Sequence, residues 1–191
     1  HLLSNGRYAV MLTTAGSGYS RWRDLAVTRW REDATRDCWG SYIILRDPQT
    51  SSVWSAGYQP SGVEADDYQA SFSEERAEFV RRDGDWSTTL EVVVSSEDDA
   101  EVRRVSITNG GTRTRDLQIT SYAELSLGPQ AADVAHPAFA NLFVQTEFVP
   151  ELGALLATRR KRSEEDATIW VAQVVVVEGE SVGELQYETD R

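Results

Sequence analysis

Short segments in which apolar and polar residues alternate constrain the fold of this chain more than any other feature. The run 88–94 places Thr, Leu, Val and Val at every second position. Successive side chains of a strand point to opposite faces of a sheet, so this pattern predicts a strand with one buried face. Similar segments recur along the chain between clusters of turn residues. Their regular repetition is typical of an all-β protein.

Two hairpins are predicted from turn chemistry. The strand 42–46 runs through Asp47–Pro48–Gln49–Thr50 into Val53–Trp54. Asn109–Gly110–Gly111 is a second turn signal, because Asn and Gly tolerate the positive φ angles of tight hairpins. Its return strand is predicted over 117–120, with Leu117 and Ile119 on one face.

The second half of the chain carries further strand patterns. They are predicted at 141–149, 154–159 and 168–177. Val174–Val177 is apolar on both faces, which favours a central, buried strand. The segment 73–79 fits a helix or a strand, and the Ala-rich segment 130–140, broken by Pro137, predicts a long loop or one helical turn.

With so many strands, the alternatives are two packed antiparallel sheets or a barrel. A length of 191 residues favours a large antiparallel β-sandwich with little helix. We expect one domain spanning 1–191, or at most one large unit and one vestigial unit.

Composition excludes several functions. A net charge of −12 argues against nucleic-acid binding, which needs a clustered positive surface. Cys38 is the only cysteine, which excludes a disulfide framework and suits a reducing, cytoplasmic compartment.

His136 has no partner at ligand spacing, so no metal site is expected. No cofactor is expected either, because the Gly-rich segment 15–19 lacks the phosphate-binding and dinucleotide motifs. Its glycines are better explained by a bend or by a close backbone approach to a ligand.

The segment from Gly16 to Pro60 is the densest in residues that could bind a ligand. It contains four of the six tryptophans together with tyrosines, arginines and acids. Aromatic faces cover the apolar C–H patch of a pyranose while charged side chains bind its hydroxyls, so this mixture is typical of sugar binding. The predicted sugar-binding residues are Tyr19, Trp22, Arg29, Arg31, Asp33 and Trp39.

The geometry of a strand would place Arg29 and Arg31 on one face and Trp30 on the other. The alternative is that the tryptophans belong to the core and the charged residues form a self-satisfied surface network. No catalytic residue is predicted. Adjacent acids such as Glu32–Asp33 and Asp98–Asp99 point to opposite faces of a strand, which is unsuitable for the carboxylate pair of a glycosidase.

Several longer motifs carry a resemblance to a known family. They are Leu2–Tyr8, Ala15–Ser20, Thr28–Asp33, Arg46–Asp47, Trp54–Pro60, Ser121–Leu125 and Ala135–Phe139. Together they resemble the N-terminal sandwich domain of the inverting glycoside phosphorylases, the cellobiose and chitobiose phosphorylase family. The resemblance is closer still to the corresponding region of the cyclic β-1,2-glucan synthases, and it spans essentially the whole chain.

The resemblance implies a galactose-mutarotase-like super-sandwich. In the family this domain is joined through helices to an (α/α)6 barrel that carries the general acid and the phosphate site, so no family catalytic residue transfers to this chain. The resemblance also implies a sandwich that continues past Arg191, and both ends of the chain look cut from a longer polypeptide. In family dimers the domain lies at the subunit interface.

The leading hypothesis is a carbohydrate-binding or substrate-positioning domain of a β-glucan-active glycoside phosphorylase or cyclic β-1,2-glucan synthase, with glycosyl transfer performed elsewhere in the parent protein. The expected partners are a β-glucan or oligosaccharide, the catalytic barrel of the same polypeptide and a second copy of the chain. Contact with nucleic acid or membrane is not expected, although other segments could anchor the parent protein in a bacterial inner membrane.

The alternative is a purely structural, dimerising module that buttresses the barrel. A complete mutarotase would need a Glu and a His in one pocket, and the chain offers only His1 and His136.

Overall fold

The computed structural model describes residues 1–33, 35–161, 163–164, 166, 168–179 and 185–189. The chain divides into two compact units, His1–Leu125 and Ser126–Arg191. The expected single domain over 1–191 therefore stays a prediction.

The first unit begins with an antiparallel meander. Its strands are β1 (Leu2–Ser4), β2 (Tyr8–Leu12), β3 (Gly18–Trp22) and β4 (Leu25–Thr28). They are paired in chain order. Alternating residues of β2 are buried, with Val10 and Leu12 almost fully enclosed. This alternation produces a sheet with one core-facing side.

A second sheet contains three strands in the order β11-β5-β6. Their bounds are β5 (Ser41–Asp47), β6 (Ser52–Ser55) and β11 (Gln118–Ala123). The predicted hairpin over 42–54 is confirmed, since Leu45 pairs with Trp54. Asp47 closes the turn because its carboxylate accepts hydrogen bonds from the amides of Gln49 and Thr50 at 2.8 and 3.2 Å.

The third sheet is an antiparallel array in the order β10-β9-β8-β7. Its strands are β7 (Asp67–Phe72), β8 (Arg76–Asp83), β9 (Trp86–Val94) and β10 (Glu101–Asn109). The period-two pattern in β9 is confirmed, because Thr88, Leu90 and Val92 are buried. The ambiguous segment 73–79 leads into strand β8, where Phe79 is fully buried.

The second unit holds a small sheet and two short helices. The strand β12 (Leu125–Gly128) spans the boundary between the units. The elements that follow it are α1 (Gln130–Ala135), α2 (Pro137–Asn141), β13 (Val144–Val149), a 3₁₀ turn (Pro150–Leu152), β14 (Ala154–Arg159) and β15 (Trp170–Val174). The sheet order is β13-β14-β15. Pro137 is the first residue of α2 and does not lie in a long loop. Proline fits there because the first helical position needs no backbone N–H.

Two strand predictions are wrong. Asn109 does not lead into a hairpin, since β10 and β11 belong to different sheets. The amide of Gly110 instead donates to the carbonyl of Asp85 at 2.8 Å, so this loop carries the chain from one sheet to another. The valines 174–177 are exposed, Val176 by 80%, and β15 ends at Val174, so this run is not a buried central strand.

The all-β class is confirmed. The described sheets are antiparallel, and the helices found among the described residues are short. Within the same residues, no helix is both long and apolar enough to cross a membrane.

A buried arginine ties β8 to the loop that follows β6. Nη1 of Arg81 donates to the carbonyls of Ser55 and Gly57 at 2.9 and 2.6 Å. Its Nη2 reaches the carbonyl of Val63 at 3.2 Å and, with Nε, forms a two-pronged pair with Asp83 at 2.6 and 2.7 Å. The guanidinium thus has charge compensation and also satisfies backbone acceptors that would otherwise be buried without donors.

We predict that Arg81→Ala lowers the free energy of unfolding by about 3–5 kcal/mol, because it leaves a carboxylate and several carbonyls without their donor. Arg82→Ala is the matched control, since Arg82 is the exposed neighbour on the same strand, and we expect a change within about 0.5 kcal/mol. Urea unfolding measures both values. Equal effects of the two substitutions would contradict the assignment of Arg81 as the anchor.

Candidate functional site

A hollow in the surface lies in the connection between β4 and β5. Its volume is about 480 Å³. It is lined by Arg31, Glu32, Asp33, Thr35, Arg36, Cys38 and Trp39. We call it the Trp39 hollow. Three of the six predicted sugar-binding residues, Arg31, Asp33 and Trp39, therefore lie together.

A short turn shapes one wall of the Trp39 hollow. The carboxylate of Asp33 accepts hydrogen bonds from the hydroxyl and the amide of Thr35 at 2.6 and 2.8 Å. These two hydrogen bonds lower the pKa of Asp33 below its ordinary value. The Asp33 side chain is therefore an ionised hydrogen-bond acceptor at neutral pH.

The indole of Trp39 lies against a guanidinium. Cζ of Arg31 is 5.3 Å from the centroid of the Trp39 ring, within the range of a cation–π contact. The Nε atom of Arg31 is buried without a hydrogen-bond partner in the described part of the chain. This donor atom is therefore not used by a hydrogen bond within the described residues.

The charges in the Trp39 hollow are balanced. Arg31 and Arg36 contribute two guanidinium groups, and Glu32 and Asp33 contribute two carboxylates. A strongly anionic ligand such as phosphate would meet as many negative as positive groups. A neutral ligand with many hydroxyls finds both donors and acceptors beside an aromatic ring.

The Gly-rich segment 13–18 forms a tight turn beside this hollow, which we call the glycine turn. The amide of Gly18 donates to the carbonyl of Trp39 at 2.7 Å, and the hydroxyl of Ser17 donates to the carbonyl of Asp37 at 2.6 Å. The hydroxyl of Thr13 binds the Asp37 carboxylate at 2.7 Å. The turn thus holds the segment that carries Trp39 at several points.

The other predicted residues lie elsewhere. Trp22 belongs to a separate cluster, because its Nε1 donates to Asp99 at 2.6 Å while Arg23 stacks over its ring at 4.7 Å. Arg7 binds the same carboxylate at 2.8 Å. The hydrogen bonds from Trp22 and then from Arg7 lower the pKa of Asp99. These contacts tie the β9–β10 turn to the first sheet.

Tyr19 and Arg29 are also committed to neighbours. Tyr19 packs edge-to-face against Trp30 at 5.3 Å. Arg29 is buried, its Nη1 donates to the carboxylate of Glu124 at 3.1 Å, and its amide donates to the carbonyl of Glu124. The strand geometry predicted for 29–31 is wrong, because β4 ends at Thr28.

Sequence reasoning did not single out four residues that line the Trp39 hollow, namely Glu32, Thr35, Arg36 and Cys38. The spacing of Asp33 and Thr35 is a signal for the turn in this segment, because an Asp two residues before a Thr is typical of a side-chain-capped turn rather than a strand. Cys38 is an exposed free thiol. No cluster of three or more metal-ligating side chains occurs among the residues whose positions are described.

Comparison with known proteins identifies the fold. The family model of glycosyl hydrolase 94, supersandwich domain, matches residues 1–191, and the chain belongs to this family. It is 42% identical over 190 residues to the cyclic beta-(1,2)-glucan synthase NdvB of Rhizobium meliloti, a match that covers 100% of this chain and 7% of NdvB. It is 28% identical over 140 residues to the N,N'-diacetylchitobiose phosphorylase of Vibrio furnissii, which covers 69% of this chain and 17% of that enzyme.

The solabiose phosphorylase of Paenibacillus borealis is 28% identical over 86 residues, covering 45% of the chain and 11% of that enzyme. The chain thus spans only a small part of each of these relatives. The resemblance drawn from the sequence motifs is confirmed at the level of the family and the supersandwich domain.

Tyr42 provides a test of the packing behind the glycine turn. Burial raises the pKa of Tyr42 to about 12, and its hydroxyl lies 3.3 Å from that of Ser17. An unfolded tyrosine ionises near its ordinary pKa of about 10. As pH rises from about 10 to 12, ionisation therefore favours the unfolded chain, and the stability that Tyr42 contributes is lost.

We expect Tyr42→Phe to be about 1 kcal/mol less stable than the unmodified protein at pH 8, because the contact with Ser17 is lost. Between pH 10 and 12 the unmodified protein should lose about 1–3 kcal/mol of its free energy of unfolding relative to the variant, since the phenylalanine variant lacks this ionisation. The difference in stability between the two proteins should therefore shrink or change sign. Denaturant unfolding at pH 8, 10, 11 and 12 measures both curves. Curves that stay parallel across this range would show that Tyr42 ionises normally in the folded protein.

Proposed function

We propose that this domain binds a β-linked glucan or oligosaccharide and positions it for the catalytic part of a larger carbohydrate-active protein. The observation that carries the proposal is the Trp39 hollow, which combines an aromatic ring with balanced charged groups. An aromatic face suits the apolar side of a pyranose, and the carboxylates and guanidinium groups suit its hydroxyls.

The comparisons support the same class of ligand. The relatives are named as a synthase of cyclic beta-(1,2)-glucan and as phosphorylases of N,N'-diacetylchitobiose and solabiose. The names describe those proteins, and they make a glucan the first ligand to test here. The proposed partners are such a glucan, the (α/α)6 catalytic barrel and a second copy of the chain, in a cytoplasmic setting.

The experiment is isothermal titration of the chain with glucose and short β-1,2-glucans, using cellobiose as a linkage control. We expect Trp39→Ala to weaken binding at least tenfold, which corresponds to about 1.4 kcal/mol, because the ring that would cover the pyranose is removed. Trp39→Phe, which keeps a flat ring, should retain part of the affinity.

Trp170→Ala is the matched control, since Trp170 is 58% exposed on β15 in the other unit. It should bind as the unmodified protein does. Thermal melting of each variant separates loss of a ligand contact from loss of the fold. Equal affinities of the Trp39 and Trp170 variants would exclude the Trp39 hollow as the sugar site.

A structural module without sugar affinity is the second candidate. The observation in its favour is that large apolar side chains of the second unit are exposed, including Leu142 and Leu152 at 67% and 68%. Such side chains are typical of surfaces that contact other protein parts. The absence of binding at millimolar sugar, in a chain that melts cooperatively, would favour this function.

A further inference from the structure

A second hollow lies in the first unit, and neither the predicted sugar-binding residues nor the family match assigns it a role. Its volume is about 370 Å³. It is lined by Thr14, Ala15, Tyr58, Tyr68 and Ala70. We call it the tyrosine hollow. Its size falls in the lower range of small-molecule sites, which begins at about 300 Å³.

Both aromatic side chains are fixed by hydrogen bonds. The hydroxyl of Tyr68 donates to the carbonyl of Thr14 at 2.7 Å. The hydroxyl of Tyr58 donates to the carboxylate of Glu64 at 3.2 Å, and this neighbouring charge raises the pKa of Tyr58. Rings held in this way lose little conformational entropy when a ligand binds.

The backbone below Tyr58 is equally fixed. Its amide donates to the carbonyl of Ala15 at 3.1 Å, and the amide of Gln59 donates to the same oxygen at 2.9 Å. The preceding carbonyl of Gly57 accepts the 2.6 Å hydrogen bond from buried Arg81. The hollow therefore rests on a preformed loop.

The glycine turn connects the two hollows. At one end of the turn, Gly18 binds the carbonyl of Trp39. In its middle, Thr14 and Ala15 line the tyrosine hollow and bind Tyr68 and Tyr58 through their carbonyls. Backbone groups of the same turn therefore contact residues of both hollows.

We propose that the tyrosine hollow is a second carbohydrate-binding site, which receives another pyranose unit of the same β-linked glucan that contacts the Trp39 hollow. This inference rests on the proposed function. Two aromatic rings provide the apolar contact, and the Glu64 carboxylate, which accepts a hydrogen bond from the Tyr58 hydroxyl, is a polar group beside one of them. Two linked contacts raise the affinity for long chains above that for short ones, because the second contact forms at a high effective concentration.

The test compares affinities for β-1,2-gluco-oligosaccharides of increasing length by isothermal titration. In the unmodified protein we expect affinity to rise with length until the chain reaches both hollows. In Tyr58→Ala, affinity for the disaccharide should be unchanged, while affinity for long oligosaccharides should fall at least fivefold towards that of the disaccharide. Tyr122→Ala is the matched control, because Tyr122 is exposed on β11, binds Glu124 at 3.1 Å and lines neither hollow.

A second variant keeps both tyrosines and their hydrogen bonds. Ala70 lines the hollow from β7, so Ala70→Arg should fill it and produce the same loss for long chains. Gln69→Arg adds the same charge at the exposed neighbouring position and should leave binding unchanged. If Tyr58→Ala no longer melts cooperatively, the Ala70 and Gln69 pair decides the question.

The outcomes separate this inference from the proposed function. Unchanged affinity for long chains in both Tyr58→Ala and Ala70→Arg, with Trp39→Ala still defective, would overturn the second site alone. Loss of binding in the Tyr58 variant with full binding in Trp39→Ala would assign glucan binding to the tyrosine hollow alone, which would overturn both the Trp39 hollow and the two-site inference. No binding of any oligosaccharide to the unmodified protein at millimolar concentration would overturn both.

Discussion

The buried guanidinium of Arg81 is the interaction on which the arrangement of the first unit depends. It compensates the charge of Asp83 and satisfies carbonyls of Ser55, Gly57 and Val63. A loop without regular structure cannot satisfy its own buried carbonyls, so it needs a donor from outside. By supplying that donor from β8, the chain holds the loop after β6, which the hydrogen bonds from Tyr58 and Gln59 to Ala15 also hold.

The glycine turn depends on this loop in return. A Cβ on Gly16 would lie 3.3 Å from the Cα of Gly57, and a Cβ on Gly18 would lie 1.7 Å from the carbonyl oxygen of Met11. The second distance is a collision with backbone that no side-chain movement can relieve. Glycine at position 18 is thus required by the close approach of two backbone segments, whereas the sequence alone indicates a bend or a close approach to a ligand.

Local patterns predicted the strands well and their pairing less well. The bounds of β14 match the predicted 154–159, and the burial of β9 follows its alternation. The Asn109 loop shows where such reasoning ends. Turn chemistry indicates that the chain bends there, but the partner is Asp85, which only the folded sheet brings near. The exposed valines at 174–177 show the same limit, because apolar residues on both faces do not establish what covers them.

The candidate site was predicted in part for a related reason. Arg31, Asp33 and Trp39 crowd one segment of the sequence and line one hollow, so composition alone indicates the segment. Tyr68 could not be found in this way, since it reaches Thr14 across 54 positions. Trp22 and Arg29, which crowd the same segment of the sequence, lie outside the Trp39 hollow, and their polar groups contact Asp99 and Glu124. Sequence crowding does not reveal such pairings, because Asp99 and Glu124 lie far along the chain from Trp22 and Arg29 and meet them only in the folded chain.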